Sequence, residues 1–142
     1  GPNGLAPGKR PRTTLSPSMA EKDGTRLAFG TPGGDQQDQW QLIWFLRLVH
    51  HGLDLQQGMD APLFHTAHFQ SSFHPREVHP AALHVEPALG DGVIDDLRAR
   101  GHTVTVADPM SIGRLTAAMH EPDGVLRAAA TPRLMQAYAV GR

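Results

Sequence analysis

Leu27-Ala28-Phe29-Gly30-Thr31-Pro32-Gly33-Gly34-Asp35 runs into a long apolar segment at 40–49. A short strand-forming run, two adjacent glycines and a helix-length apolar stretch together make a strand–turn–helix corner. Glycines 33 and 34 carry no side chain to cover their N–H groups. Asp35 is placed to cap the following helix, with Asp38 three residues on in the manner of a weak capping box. The two amides then point outward beside the positive end of the helix dipole, where a phosphate, a carboxylate or the oxyanion of a tetrahedral intermediate is received. The competing explanation is conformational: a tight corner needs glycine for its φ angles alone. On the glycines by themselves, both explanations stand.

Outward from this corner, the chain divides into short elements. Residues 1–12 are rich in Gly and Pro and read as an extended surface arm. Residues 18–21 and 25–29 flank Lys22-Asp23-Gly24, a hairpin signal. A helix is expected over 36–51, ended by Gly52 after His50 and His51. Its apolar residues, Trp40, Leu42, Ile43, Trp44, Phe45, Leu46, Leu48 and Val49, wrap nearly all round the cylinder, and such a helix is buried on every side. Some of that cover is expected from polypeptide beyond these 142 residues.

A shorter helix is expected at 55–61, stopped by Pro62, then a short strand and long loop over 63–82. Alternation marks 83–86 as a strand, apolar spacing marks 91–100 as an amphipathic helix, and β-branching marks 103–106 as a strand. Residues 114–120 and 124–130 form a second hairpin around Glu121-Pro122-Asp123, and 131–142 read as an irregular tail. The order favours an α+β fold, an antiparallel sheet with helices on one face, in a single domain over 1–142.

Composition narrows the function. The net charge is -1 with the two signs scattered, so no basic stripe for nucleic acid appears. No apolar run approaches the roughly 20 residues of a spanning helix, and no signal peptide is visible. With no cysteine there is neither a disulfide framework nor thiolate chemistry, and the compartment stays undetermined. The nine histidines do not fall into a metal pattern: His65 and His68 have no acidic third ligand at helical spacing, and His50 and His51 are adjacent. No metal and no cofactor are expected. Asp95-Asp96 with Arg98 and Arg100 reads as a solvated helix face.

One pairing points to acyl chemistry. If the strand starting near Leu15 and the strand ending at Gly30 form one hairpin, its open end brings Thr13-Thr14 near Gly33-Gly34. Hydroxyls hold a substrate carboxylate and two N–H groups hold a developing oxyanion. Against this, two threonines also simply favour β conformation.

The same residues carry a family resemblance. Pro7-Gly8-Lys9-Arg10-Pro11-Arg12-Thr13-Thr14-Leu15-Ser16-Pro17 resembles the Pro-Gly-Lys-Arg-Pro-x-Ser-Ser-x-Ser-Pro segment of gamma-glutamyltransferases. Gly30-Thr31-Pro32-Gly33-Gly34 is similar to their Gly-Ser/Thr-Pro-Gly-Gly, and Ala61-Pro62-Leu63-Phe64-His65 to their Ala-Pro-Arg-Phe-His. Pro122-Asp123-Gly124 and the stretch ending at Arg133 resemble their Pro-Asp-Gly and Asp-Pro-Arg. The matches keep family order from residue 3 to about residue 133.

The resemblance implies an N-terminal nucleophile hydrolase, an αββα sandwich matured by self-cleavage, in which a freed threonine attacks a γ-glutamyl amide. It implies that Thr13 and Thr14 hold the substrate's α-carboxylate and that Gly33 and Gly34 form the oxyanion hole. Lys9 and Arg10 receive no catalytic role. The family's nucleophile lies some tens of residues before the Pro-Gly-Lys-Arg-Pro segment, outside this chain. The chain is therefore expected to be the C-terminal part of a small subunit, inactive alone, with the rest of the same precursor and a small γ-glutamyl substrate as its partners. Thr-Thr for Ser-Ser adds methyls beside the carboxylate site, and Asp35 is expected to bring negative charge to the oxyanion hole. Two alternatives remain: a member without a nucleophile serving as a binding or scaffold domain, and an acylase of different acyl specificity.

Overall fold

A computed structural model of the chain describes residue 1, residues 3–135 and residues 137–141. The parts of the expected arm and tail that fall on Pro2, Gln136 and Arg142 lie outside the described residues. Strands β1 (Ser18–Lys22) and β2 (Thr25–Gly30) form the first hairpin. Asp23 (φ 51°) and Gly24 (φ 81°) supply the two left-handed residues that a tight two-residue turn needs. A 3-10 turn, Gly34–Gln36, then feeds helix α1 (Gln37–Val49), and Asp54 opens helix α2 (Leu55–Asp60) with a complete capping box to Gln57. Strands β3 (Phe64–Thr66) and β4 (Ala82–Val85) are followed by helix α3 (Asp91–Ala99) and strand β5 (Thr103–Val106). The second hairpin is β6 (Thr116–His120) and β7 (Leu126–Ala130).

The architecture is α+β, with one departure from the sequence expectation of a single antiparallel sheet. The described residues form two sheets. The larger is antiparallel in the order β1-β2-β6-β7; the smaller, β3-β4-β5, contains the parallel pair β4–β5. The departure has a topological reason: α3 lies between β4 and β5 as a crossover, and a crossover is what parallel neighbours require.

Period-2 alternation orients the larger sheet. Leu27, Ala117 and Ala129 point inward, while Arg26, Ala28, Ala118, His120 and Ala128 are exposed on the opposite face. The inward residues join Trp40 and Trp44 of α1, Leu55 and Met59 of α2, and Leu63, Ile112 and Leu115 in one core. Phe29 packs on Trp44 and Phe45 at centroid distances of 5.1 and 5.6 Å. The all-round burial expected of α1 holds on one side only: Trp44 is fully buried, whereas Leu42 and Val49 are about half exposed.

Among its described residues, the tail is irregular apart from a 3-10 turn at Arg133–Met135, but it is not merely superficial. Arg133 is fully buried and forms a two-pronged ion pair with Glu86, Nε to Oε1 and Nη2 to Oε2, both at 2.7 Å. Glu86 also accepts the Leu63 and Ile112 N–H groups at 2.9 and 3.1 Å. Arg133 donates further to the carbonyls of Met59 and Ala61 and to Thr131 Oγ1. Burial alone pushes the Glu86 carboxyl up, but Arg133 and the two amides outweigh it and hold it below the ordinary value. Arg47 of α1 completes the cluster by donating to the carbonyls of Gly58, Ala61 and Pro62.

Candidate functional site

The Gly33-Gly34 corner is fixed from several directions. Gly33 adopts φ 137° and Gly34 φ 62°, both in the region that favours glycine. A Cβ built on Gly33 would lie 2.2 Å from Cζ3 of Trp40, so the indole is flush against the Gly33 backbone. A Cβ on Gly34 would lie 3.1 Å from Cε2 of Phe73. Conformation and close packing thus both demand glycine at 33, independently of any chemistry. The turn's own bonds run from Gln36 N–H to Gly33 O and from Gln37 N–H to Gly34 O. Among the described residues, the Gly33 and Gly34 N–H groups donate to no acceptor in that turn. On the strand side, Thr31 Oγ1 accepts Arg114 N–H at 3.1 Å and donates to Pro32 O at 2.8 Å.

Asp35 does not cap the helix. It sits inside the 3-10 turn, and neither that turn nor α1 has a side-chain N-cap. Its Oδ2 instead accepts Ser72 N–H at 2.7 Å. Capping depends on nearby residues, and here a loop 37 positions away supplies a better donor. Burial is the largest single influence and raises the Asp35 carboxyl, but the bonds from Ser72 and Ser71 and the positive charge of Arg12 together outweigh it and hold it below its ordinary value, so it stays ionised and faces that loop. The expected negative charge therefore has partners of its own beside the corner.

Thr13 and Thr14 lie in irregular backbone ahead of β1, on a segment bracketed by two ties. Before them, Arg12 Nη2 donates to Ser72 Oγ at 3.0 Å, so Ser72 links this segment to Asp35. After them, Ser16 Oγ donates to Gln37 Oε1 at 3.2 Å and accepts Gln41 Nε2–H at 2.9 Å, on the first turns of α1. Hairpin pairing begins only at Ser18, opposite Phe29. Thr13 is exposed, with its Oγ1 accepting Leu15 N–H at 3.2 Å, and Thr14 is half-buried. Among the described residues, the Lys9 side chain reaches Gly1 O alone, at 3.2 Å.

Two further residues stand near the corner: Trp40, which reads as core in the sequence, and His65, which the sequence offers as a metal ligand and as the last residue of the family-like segment at 61–65. Trp40 Nε1–H donates to His65 Nδ1 at 3.3 Å, and the His65 ring stacks on His84, its cross-strand partner, at 4.9 Å. Burial and the neighbouring His84 lower the His65 pKa to about 4, so the ring is neutral near pH 7 with its proton on Nε2. Among the described residues, no three His, Cys, Asp or Glu side chains gather as a metal site needs. No helix among them is long and apolar enough to cross a membrane.

The chain belongs to the gamma-glutamyltranspeptidase family, whose model, described as Gamma-glutamyltranspeptidase, matches residues 1–141. It is similar to a solved structure named LmbA2991HD, with 54% identity and a TM-score of 0.89 over 99% of this chain and 26% of that one. It is 35% identical to the oxamate amidohydrolase proenzyme of Klebsiella pneumoniae subsp. pneumoniae, over 91% of this chain and 24% of the relative. It is 30% identical to the glutathione hydrolase proenzyme of Escherichia coli strain K12, over 98% of this chain and 22% of the relative. The chain thus spans about a quarter of the length of the curated relatives it matches.

Proposed function

We propose that this chain is the C-terminal part of the small subunit of a gamma-glutamyltransferase-like enzyme and supplies its oxyanion hole. The observation that carries this reading is the Gly33-Gly34 corner, with amides unused by the turn and a backbone fixed by Trp40, Phe73, Thr31 and the Asp35–Ser72 bond. Donors that are already oriented need no reorganisation as charge develops, which is what stabilises an acyl-transfer transition state.

In this reading, the hydroxyl of an N-terminal threonine outside the chain attacks the amide carbon of a γ-glutamyl, glutathione-like substrate. The carbonyl oxygen becomes an oxyanion and accepts the Gly33 and Gly34 N–H bonds. Collapse of the tetrahedral intermediate expels the amine, which takes up a proton, and leaves an acyl ester. Water or an amino acceptor then resolves that ester. Thr13 and Thr14 hold the substrate's α-carboxylate.

The full-length processed protein is expected to release chromophore from a γ-glutamyl anilide, and the purified 142-residue chain to release none. Turnover by the isolated chain would refute the division of labour. A full-length protein that folds but neither self-cleaves nor turns over would support the scaffold alternative.

A second reading, an acylase of different specificity, draws on Phe73. This aromatic ring sits against Gly34 and is 58% exposed, and it offers an acyl chain an apolar neighbour. It predicts a higher kcat/KM for an apolar acyl anilide than for the γ-glutamyl one.

A further inference from the structure

We infer that Trp40 and His65 are positioning residues for the Gly33 and Gly34 amides: the indole is the floor that fixes the corner, and the imidazole is the acceptor that fixes the indole. This rests on reading those amides as the oxyanion donors.

The geometry is specific. Trp40 is 8% exposed, and its six-membered ring lies under Gly33 at a distance that leaves no room for a Cβ. Gly113 approaches the same indole, where a Cβ would stand 3.5 Å from Cδ2. Two glycine backbones thus approach the ring, one from the β2–α1 corner and one from the segment entering β6. A flat ring against backbone still slides or tips unless its edge is fixed. His65 fixes that edge, accepting Nε1–H at 3.3 Å with the rings edge-on at 72°. His65 is itself held by stacking on His84 at an interplanar angle of 15°. A chain of contacts therefore runs from the β3–β4 ladder through His65 and Trp40 to the Gly33 backbone.

A buried indole N–H needs an acceptor in any setting, and Trp44 Nε1–H finds the Leu55 carbonyl. The Trp40 indole N–H is bonded instead to one ring nitrogen of a histidine from the smaller sheet, and Nδ1 must stay unprotonated to accept it. An oxyanion donor displaced by a fraction of an ångström loses much of its effect, so an anchor of this kind acts on kcat.

The test uses the full-length, processed enzyme and the variants His65→Asn, His65→Gln and Trp40→Phe. An Asn side chain presents its oxygen near the position of Nδ1, and a Gln side chain near that of Nε2. Each enzyme is assayed on an amide substrate and on its thioamide, whose sulfur accepts hydrogen bonds poorly. Positioning predicts that His65→Gln and Trp40→Phe lower kcat on the amide by roughly 10-fold or more, part of the ~10²–10³ of a lost donor, with KM held within about 2-fold. Their preference for amide over thioamide should shrink in parallel, and His65→Asn should retain most of both.

Equal losses for His65→Asn and His65→Gln, or unchanged kcat in a processed His65→Gln enzyme, would overturn the inference while the wild type still prefers the amide. A wild type with no such preference would instead overturn the oxyanion reading beneath it. If His65→Gln does not mature, Trp40→Phe carries the same comparison, because it removes the N–H while keeping an aromatic floor.

Discussion

Arg133→Met is the most informative perturbation of the fold. Arg133 and Glu86 are 0% and 1% exposed, and the guanidinium meets both carboxylate oxygens at 2.7 Å. Removing Arg133 leaves a buried carboxylate with only the Leu63 and Ile112 amides as donors. It also strips a donor from the carbonyls of Met59 and Ala61. Breaking one half of a buried pair costs about 3–5 kcal/mol. The nearby charge of Arg47 compensates in part, which places the expected loss near the lower bound, about 3 kcal/mol. The assay is urea unfolding of the full-length protein, with Glu86→Leu and the double variant completing a cycle. Because two apolar residues of similar volume replace a buried pair at little net cost, the double variant should be more stable than Arg133→Met alone. A loss below about 1 kcal/mol for Arg133→Met, or simple additivity in the double variant, would mean that Arg133 does not offset the buried Glu86 charge. The result bears on the site because Glu86 holds the amides of Leu63, which leads into β3 and His65, and of Ile112, beside Gly113.

Acid should weaken the fold through His65: a folded pKa of about 4 against an ordinary 6.5 means the unfolded chain binds more protons between those values. Stability present above pH 6.5 should therefore fall as pH drops to about 4, by ~1–2 kcal/mol after allowance for the partly exposed ring, and His65→Asn should remove that slope in denaturation at pH 7 and pH 4.5. Glu86, held below its ordinary 4.5, adds a loss only at lower pH. Gly33→Ala should fail to mature, since its Cβ meets Trp40 at 2.2 Å. Gly34→Ala keeps its N–H, meets only the half-exposed Phe73 ring at 3.1 Å and costs about 1–2 kcal/mol for its positive φ, so kcat should stay within a few-fold; a 100-fold fall would contradict this. Thr13→Val and Thr14→Val should raise KM for a γ-glutamyl anilide by ~10-fold each with little change in kcat, the scale of a hydrogen bond to a charged group. An unchanged KM for both would remove them from the carboxylate site.

Local grammar was legible and distant partnership was not. Asp23-Gly24 announced a turn, and both residues take left-handed φ. The sequence 103–106 announced a strand by β-branching, and β5 spans it. Asp35 has the chemistry of a cap, but its strongest donor comes from Ser72 in another loop, which no local rule foresees. The two-sheet arrangement depends on α3 acting as a crossover rather than on any single strand's pattern. Arg133 sits in a stretch without periodicity, and its burial depends on Glu86, 47 positions earlier; the resemblance to Asp-Pro-Arg was its only signal. At the corner, the glycine pair was readable, whereas Trp40 and His65 meet only once β3 packs beside α1.

The central claim is that the Gly33 and Gly34 amides receive the oxyanion. Its most direct measurement is a crystal structure of the full-length processed enzyme trapped with an electrophile that leaves a tetrahedral oxygen on the nucleophile. That oxygen is expected about 2.7–3.1 Å from both the Gly33 and Gly34 nitrogens, with the corner unmoved on Trp40. An oxygen bonded elsewhere, with both amides beyond hydrogen-bond reach, would contradict it.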